Sequence, residues 1–157
     1  MNANELYLEW KKHDLCDIDL IHELESIEGN EAEIFDRFRC ELAFGTGGLR
    51  GVLGVGTNRM NVYTVGKATQ GLANCLKASN EGVKPLSVVI ARDSRNKGDD
   101  FVRRAASVLA ANGIKVYVFS EIMPTPALSF AVRYFGCDAG ICVTASHNPA
   151  IYNGYKV

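Results

Sequence analysis

Residues 86–119 read LSVVIARDSRNKGDDFVRRAASVLAANGIKVYVF, and this stretch decides the fold. Residues 86–91 are a short, β-branched run that predicts a strand. Residues 99–112 carry Phe101, Ala105 and Leu109 on one stripe at helical spacing, and Gly113 stands where a C-terminal cap belongs. Residues 115–119 predict a second strand. Strand, helix and strand in that order form a unit whose two strands run parallel.

The pattern repeats outward from this unit. Upstream, residues 49–55 are extended, and Thr64 reads as the N-cap of a helix running to about Ser79, with Val65, Ala68, Leu72 and Leu76 on its apolar face. Downstream, Pro124-Thr125-Pro126 opens a helix to about Phe135, and residues 138–143 predict another strand. The alternation predicts an α/β fold, a three-layer α/β/α sandwich with a mixed, largely parallel sheet of about four strands. Residues 1–43 precede it as a helical extension, with helices near residues 5–12, 18–26 and 31–43. In the last of these, Ile34, Phe35, Phe38 and Leu42 share a face, and Trp10 reads as a packing anchor. The sequence stops inside an extended segment that begins at Tyr155, which predicts a piece of a longer protein.

Composition narrows the function classes. Of 157 residues, 47% are hydrophobic and 22% charged, an ordinary globular balance, and the net charge of −1 gives no reason to expect nucleic acid or an anionic membrane as partner. No apolar run approaches the ~18 residues of a spanning helix, and the N-terminus has no secretory pattern. Five cysteines without a C-x-x-C pair, most of them in apolar patterns, predict reduced thiols and a cytoplasmic protein.

Chemistry concentrates in Thr144-Ala145-Ser146-His147-Asn148-Pro149. This run follows the predicted strand at 138–143 and so stands at the carboxyl end of the sheet, where ligands bind in such folds. Pro149 fixes its own φ and restricts Asn148. Asn153-Gly154 predicts a tight turn that brings Lys156 back toward the serine. A second feature is Phe44-Gly45-Thr46-Gly47-Gly48-Leu49-Arg50-Gly51, which matches neither the dinucleotide fingerprint nor a P-loop. Its exposed amides and the guanidinium of Arg50 suit an anion. Arg92-Asp93-Ser94-Arg95 reads equally as support for the site or as an exposed loop before a helix. His13 and His22 have no metal spacing. Ser146 lacks the G-x-S-x-G context of a hydrolase elbow, and the residues favour a serine that carries a phosphoryl group.

The serine run together with Tyr152-Asn153-Gly154-Tyr155-Lys156 resembles the phosphoserine loop of the α-D-phosphohexomutases, which include phosphoglucomutase and phosphomannomutase. Residues 44–51 are similar to an earlier signature of that family, and Ala91-Arg92-Asp93-Ser94-Arg95 to its next one. The likeness covers about residues 42–157, the first of four domains, and the helical extension resembles the branch with phosphopentomutase-like and bacterial phosphoglucomutase/phosphomannomutase enzymes. The resemblance implies an intramolecular phosphotransferase that moves phosphate between the 1 and 6 positions of a hexose through a sugar 1,6-bisphosphate. It casts Ser146 as the phosphorylated residue, His147 and Lys156 as proton carriers, and Arg50, Asn148 and Lys156 as phosphate binders. It further implies Mg2+ held by a phosphate oxygen on Ser146 and three aspartates of a second domain. That metal loop, the sugar-reading loop and the last phosphate-binding domain lie outside these residues, so domain I alone is expected to be inactive. The alternatives are a phosphopentomutase of the same family, a serine acyl hydrolase and a non-catalytic phosphate-binding module.

Overall fold

The computed structural model describes residues 2–80, 82 and 84–157. Three short helices come first: α1 (Ala3–Lys12), α2 (Ile18–Ser26) and α3 (Glu31–Phe38). Asn2 caps α1 with a capping box to Glu5, Asp17 accepts from the first amides of α2, and Asn30 does so for α3. Tyr7, Leu20, Leu24, Ile27, Ile34 and Phe38 pack into a core of their own, closed by Val55 and by Trp10, which meets Phe38 and Tyr63 edge-on. The third helix ends five residues earlier than the sequence pattern suggests, and Phe35 lies 61% exposed, outside the shared face expected for it.

The remaining elements alternate: β1 (Leu49–Val52), α4 (Val62–Asn80), β2 (Ser87–Arg92), α5 (Gly98–Ala111), β3 (Lys115–Val118), α6 (Thr125–Phe135), β4 (Ala139–Val143) and β5 (Tyr152–Lys156). The sheet has five strands in the order β1-β5-β4-β2-β3. β2 is parallel to both β3 and β4, whereas β5 runs antiparallel to β4 and β1. The fifth strand is the extended segment at the C-terminal end, and it makes the sheet evenly mixed. Helices cover both faces. Val88, Ile90, Ile141, Val143 and Tyr155 pack with Phe101, Ala105 and Leu109 of α5 and with Val65 and Ala73 of α4. Val89, Ala91 and Cys142, on the opposite face, pack against Leu128 and Ala131 of α6.

Three expectations are corrected. The helix cap is Asn61, not Thr64: the Asn61 carboxamide accepts from the amides of Tyr63 and Thr64, and the Thr64 hydroxyl accepts in return from the Asn61 amide. Asn153-Gly154 is not a turn but the middle of β5. The glycine is needed there because a β-carbon would lie 2.6 Å from the Thr144 carbonyl oxygen and 2.8 Å from that of Leu49. The hairpin between β4 and β5 is closed by residues 144–151 instead. Finally, Cys16, Cys40 and Cys75 are exposed; only Cys142 is buried, where burial pushes its thiol pKa up. No helix is long and apolar enough to cross a membrane among the described residues.

Candidate phosphoryl-transfer site

The parallel strands β2 and β4 end side by side, and their following loops form the site. Thr144 leaves β4 buried, and its Oγ1 donates to Asp93 Oδ2 at 2.5 Å and accepts from the Ser146 amide at 2.9 Å. Asn148 N–H then bonds back to the Ala145 carbonyl, and Tyr152 N–H to that of Pro149, so the segment is two consecutive turns. Ala145 is fully buried beneath it, while Ser146 and His147 are exposed. Ser146 has φ +60°, a left-handed conformation that costs a non-glycine residue about 1–2 kcal/mol. Strain of that kind persists where the surroundings hold it and is common at functional turns. The Ser146 hydroxyl faces His147 Nδ1 at 3.5 Å.

From the loop after β2, Arg95 reaches under this segment. Its side chain is 13% exposed, and its two Nη atoms donate to the carbonyls of Ser146, Asn148, Pro149 and Tyr152 at 2.7–3.0 Å. Asp93 Oδ1 accepts from the Arg95 amide. The Asn153 carboxamide ties the start of β5 to the Asn96 carbonyl.

The third contribution is the glycine turn. Gly45 and Gly48 bond to one another through both amides, closing a tight turn ahead of β1. Register places Arg50 opposite Gly154, and Lys156 opposite Cys142. Side chains alternate along a strand, so Arg50 and Lys156 project from the same face of the sheet. Both lie against the glycine turn: a β-carbon at Gly47 would meet Arg50 Nη2, and one at Gly48 (φ +96°) would meet Lys156 Cγ at 2.8 Å. Arg50 Nη1 also donates to Asn148 Oδ1 at 3.3 Å. All five expected site residues, Ser146, His147, Asn148, Arg50 and Lys156, therefore sit on one rim made by the serine loop, β1, β5 and the turn.

The rim is cationic. Neither Arg50 nor Lys156 has an ion-pair partner among the described residues, whereas Asp93 is engaged by Thr144 and Arg95. No carboxylate hydrogen-bonds His147 there either, which leaves the serine and histidine without the third member that an acyl hydrolase needs. No group of three or more His, Cys, Asp or Glu is arranged for a metal among the described residues. A hollow of about 540 Å3 lined by Trp10, Phe44 and Tyr63 lies between the helical extension and α4, apart from the serine loop.

Sequence reasoning did not identify Thr144 as the link between Asp93 and the Ser146 amide, nor the four carbonyl contacts of Arg95. The sequence signals for the run holding Asp93 and Arg95 were its place just past the end of a predicted strand and its resemblance to a family signature, neither of which names these contacts.

Residues 41–157 match the protein family described as phosphoglucomutase/phosphomannomutase, alpha/beta/alpha domain I. A probable phosphoribomutase of Schizosaccharomyces pombe is 47% identical over 116 residues, covering 74% of this chain and 20% of that protein. The human phosphopentomutase is 39% identical over 157 residues, covering 96% of this chain and 25% of that protein. The crystal structure of a putative phosphomannomutase from Thermus thermophilus superposes with a TM-score of 0.66 at 35% identity, covering 74% of this chain and 25% of that one. The chain thus spans about a fifth to a quarter of the length of these relatives. A five-stranded mixed sheet with a strained, cation-rimmed serine loop at its carboxyl edge, matched over residues 41–157, makes this chain a member of the phosphoglucomutase/phosphomannomutase family, with that family's α/β/α domain I.

Proposed function

We propose that this chain is the phosphoserine domain of a longer, four-domain phosphosugar mutase, with residues 1–43 as a helical extension and residues 44–157 as domain I. The observation that carries the reading is the exposed Ser146 hydroxyl at φ +60°, beside two cations that lie on one glycine turn. In the proposed cycle a sugar hydroxyl oxygen attacks the phosphorus carried by Ser146, in line with the Oγ–P bond. The new O–P bond forms as the Oγ–P bond breaks, and His147 or Lys156 takes the proton of the attacking hydroxyl. A proton returns to Oγ, leaving free serine and a sugar bisphosphate. The bisphosphate then gives its other phosphoryl group back to Ser146 by the same exchange in reverse. Arg50 neutralises phosphate oxygens during transfer, with Asn148 fixing the guanidinium at the rim.

Mg2+ is the expected cofactor, and it neutralises charge on a transferring phosphoryl group. Among the described residues the phosphate of Ser146 would be its one ligand, with no carboxylate cluster beside it, and other domains would supply the rest. Domains II to IV and a small sugar phosphate are the proposed partners, and five unpaired cysteines fit a cytoplasmic enzyme. Relatives named phosphopentomutase align across the helical extension too, which adds pentose phosphates to the sugars worth testing.

Intact mass spectrometry of the longer protein tests the reading. After incubation with glucose 1,6-bisphosphate, one phosphate is expected on Ser146, removed by a cognate hexose or pentose monophosphate. A serine that stays unphosphorylated, or labels with a fluorophosphonate, overturns it.

A further inference from the structure

The geometry points to Arg95 as the positioning residue that presets the serine loop for phosphoryl transfer, an inference that rests on the reading of Ser146 as phosphoryl carrier. Arginine has five N–H donors in a planar fork. Both hydrogens of Nη1 go to the Pro149 and Tyr152 carbonyls, at 3.0 and 2.9 Å. Both of Nη2 go to those of Ser146 and Asn148, at 2.9 and 2.7 Å. The fifth, on Nε, lies 3.4 Å from Asp93 Oδ2 as an ion pair and makes no hydrogen bond among the described residues. Ser146 is thereby gripped from both ends: its carbonyl by Arg95, its amide by Thr144 Oγ1, which Asp93 holds in turn. That double grip keeps a residue with a side chain at φ +60°.

The grip also has an electrostatic result. In a trans peptide the C=O and the following N–H point in opposite directions. Drawing the Ser146 carbonyl down onto Arg95 turns the His147 N–H the other way. That amide has no hydrogen-bond partner among the described residues, and His147 is exposed. A fixed N–H of this kind beside Ser146 can donate to the oxygens of its phosphate without rearranging as charge develops. Arg95 itself meets only backbone carbonyls and Asp93. It should therefore govern the rate of transfer and leave sugar binding nearly untouched.

The test uses the longer protein, with sugar-dependent loss of phosphate from Ser146 followed in single turnover and scaled to the phosphoserine counted by mass. Arg95→Lys, which keeps the charge but cannot fork to four carbonyls, should slow this step about 100-fold. KM for the sugar phosphate should stay within about threefold, and circular dichroism should show the fold retained, with melting lowered by the lost carbonyl contacts. Guanidinium added to Arg95→Ala should restore part of the rate, where equal NaCl does not. Thr144→Val, nearly isosteric, removes only the hydroxyl link and should slow the step about tenfold; it carries the test if the arginine variants do not fold. Variant rates within about threefold of the parent, or a raised KM at unchanged rate, overturn the inference. A parent that never exchanges phosphate at Ser146 overturns the mutase reading, and this inference with it. A parent that exchanges normally while the variants match it overturns this inference alone.

Discussion

Arg50 lies folded back across Gly47, so that a β-carbon added to the glycine would come within 2.0 Å of Nη2 and 3.1 Å of Cζ. A methyl at position 47 would have to push the flexible guanidinium out of the place it holds on the rim. Gly47→Ala and Arg50→Lys should therefore fail alike. Each is expected to slow phosphate exchange at Ser146 by about tenfold or more, since an ammonium or a displaced fork loses the paired contacts to phosphate. Single-turnover measurement on both variants checks this, and parent-like rates in Arg50→Lys would show that the guanidinium has no part in transfer.

The left-handed backbone at Ser146 separates stability from activity. Ser146→Ala and Ser146→Gly both remove the proposed phosphoryl carrier, so both should be inactive. Glycine relieves the strain that alanine keeps, so Ser146→Gly should be more stable than Ser146→Ala by about 1 kcal/mol in urea unfolding. Coincident unfolding curves would mean that the loop does not hold the serine in that conformation.

Tyr155 sits fully buried in the core beneath the site, with burial pushing its phenol up to about 12. Its hydroxyl makes no hydrogen bond among the described residues, and the nearby Thr69 hydroxyl donates to the Val65 carbonyl. Tyr155→Phe should cost nothing and can stabilise by up to about 1 kcal/mol, because it removes an unpartnered polar atom. Thermal melting of the variant below the parent would contradict this.

Acid should weaken the fold through paired carboxylates. Asp138 is held below the usual carboxylate range by its ion pair with Lys84 at 2.6 Å and by the Ser87 amide, and Asp36 by its hydrogen bond from Arg59. A carboxyl whose folded pKa is depressed adds stability above its unfolded value, near 3.9, and loses it as pH falls toward the folded value. Urea midpoints should therefore be flat from neutral pH to about 5 and drop below about 4. Asp138→Asn should lower the neutral plateau and soften the drop, and an equally steep drop would exclude Asp138 as a cause.

Local signals carried much of this structure into the sequence. The helix over residues 18–26 is found with the bounds its pattern predicts, and Phe101, Ala105 and Leu109 form the buried stripe read from their spacing. Ser146, His147 and Asn148 stand at a strand end that the apolar run at residues 138–143 made legible, whereas the register that brings Arg50 and Lys156 beside them was not readable from local signals. What stayed hidden depends on contacts distant in sequence. Arg95 binds carbonyls more than fifty residues away, and nothing local says that a guanidinium will collect them. Gly154 follows Asn153 as in a tight turn, yet it is there to let neighbouring backbone close around it. The turn signal was sound locally and lost to tertiary packing. Phe35 fits the apolar period of α3, yet Ile34 and Phe38 take the buried face of that helix and the Phe35 ring stays exposed.

The strand order has a consequence for how the molecule is made. Among the described residues β1, early in the chain, finds its ladder partner in β5, the last strand, and pairs with neither β4 nor β2. Emerging from a ribosome, Arg50 and the glycine turn must wait unpaired while the parallel core of β2, β3 and β4 can already collapse. Pairings of such long sequence separation form late and slowly. The cation-bearing rim therefore cannot close until residues 152–156 slide between β1 and β4, two strands that the chain has already produced.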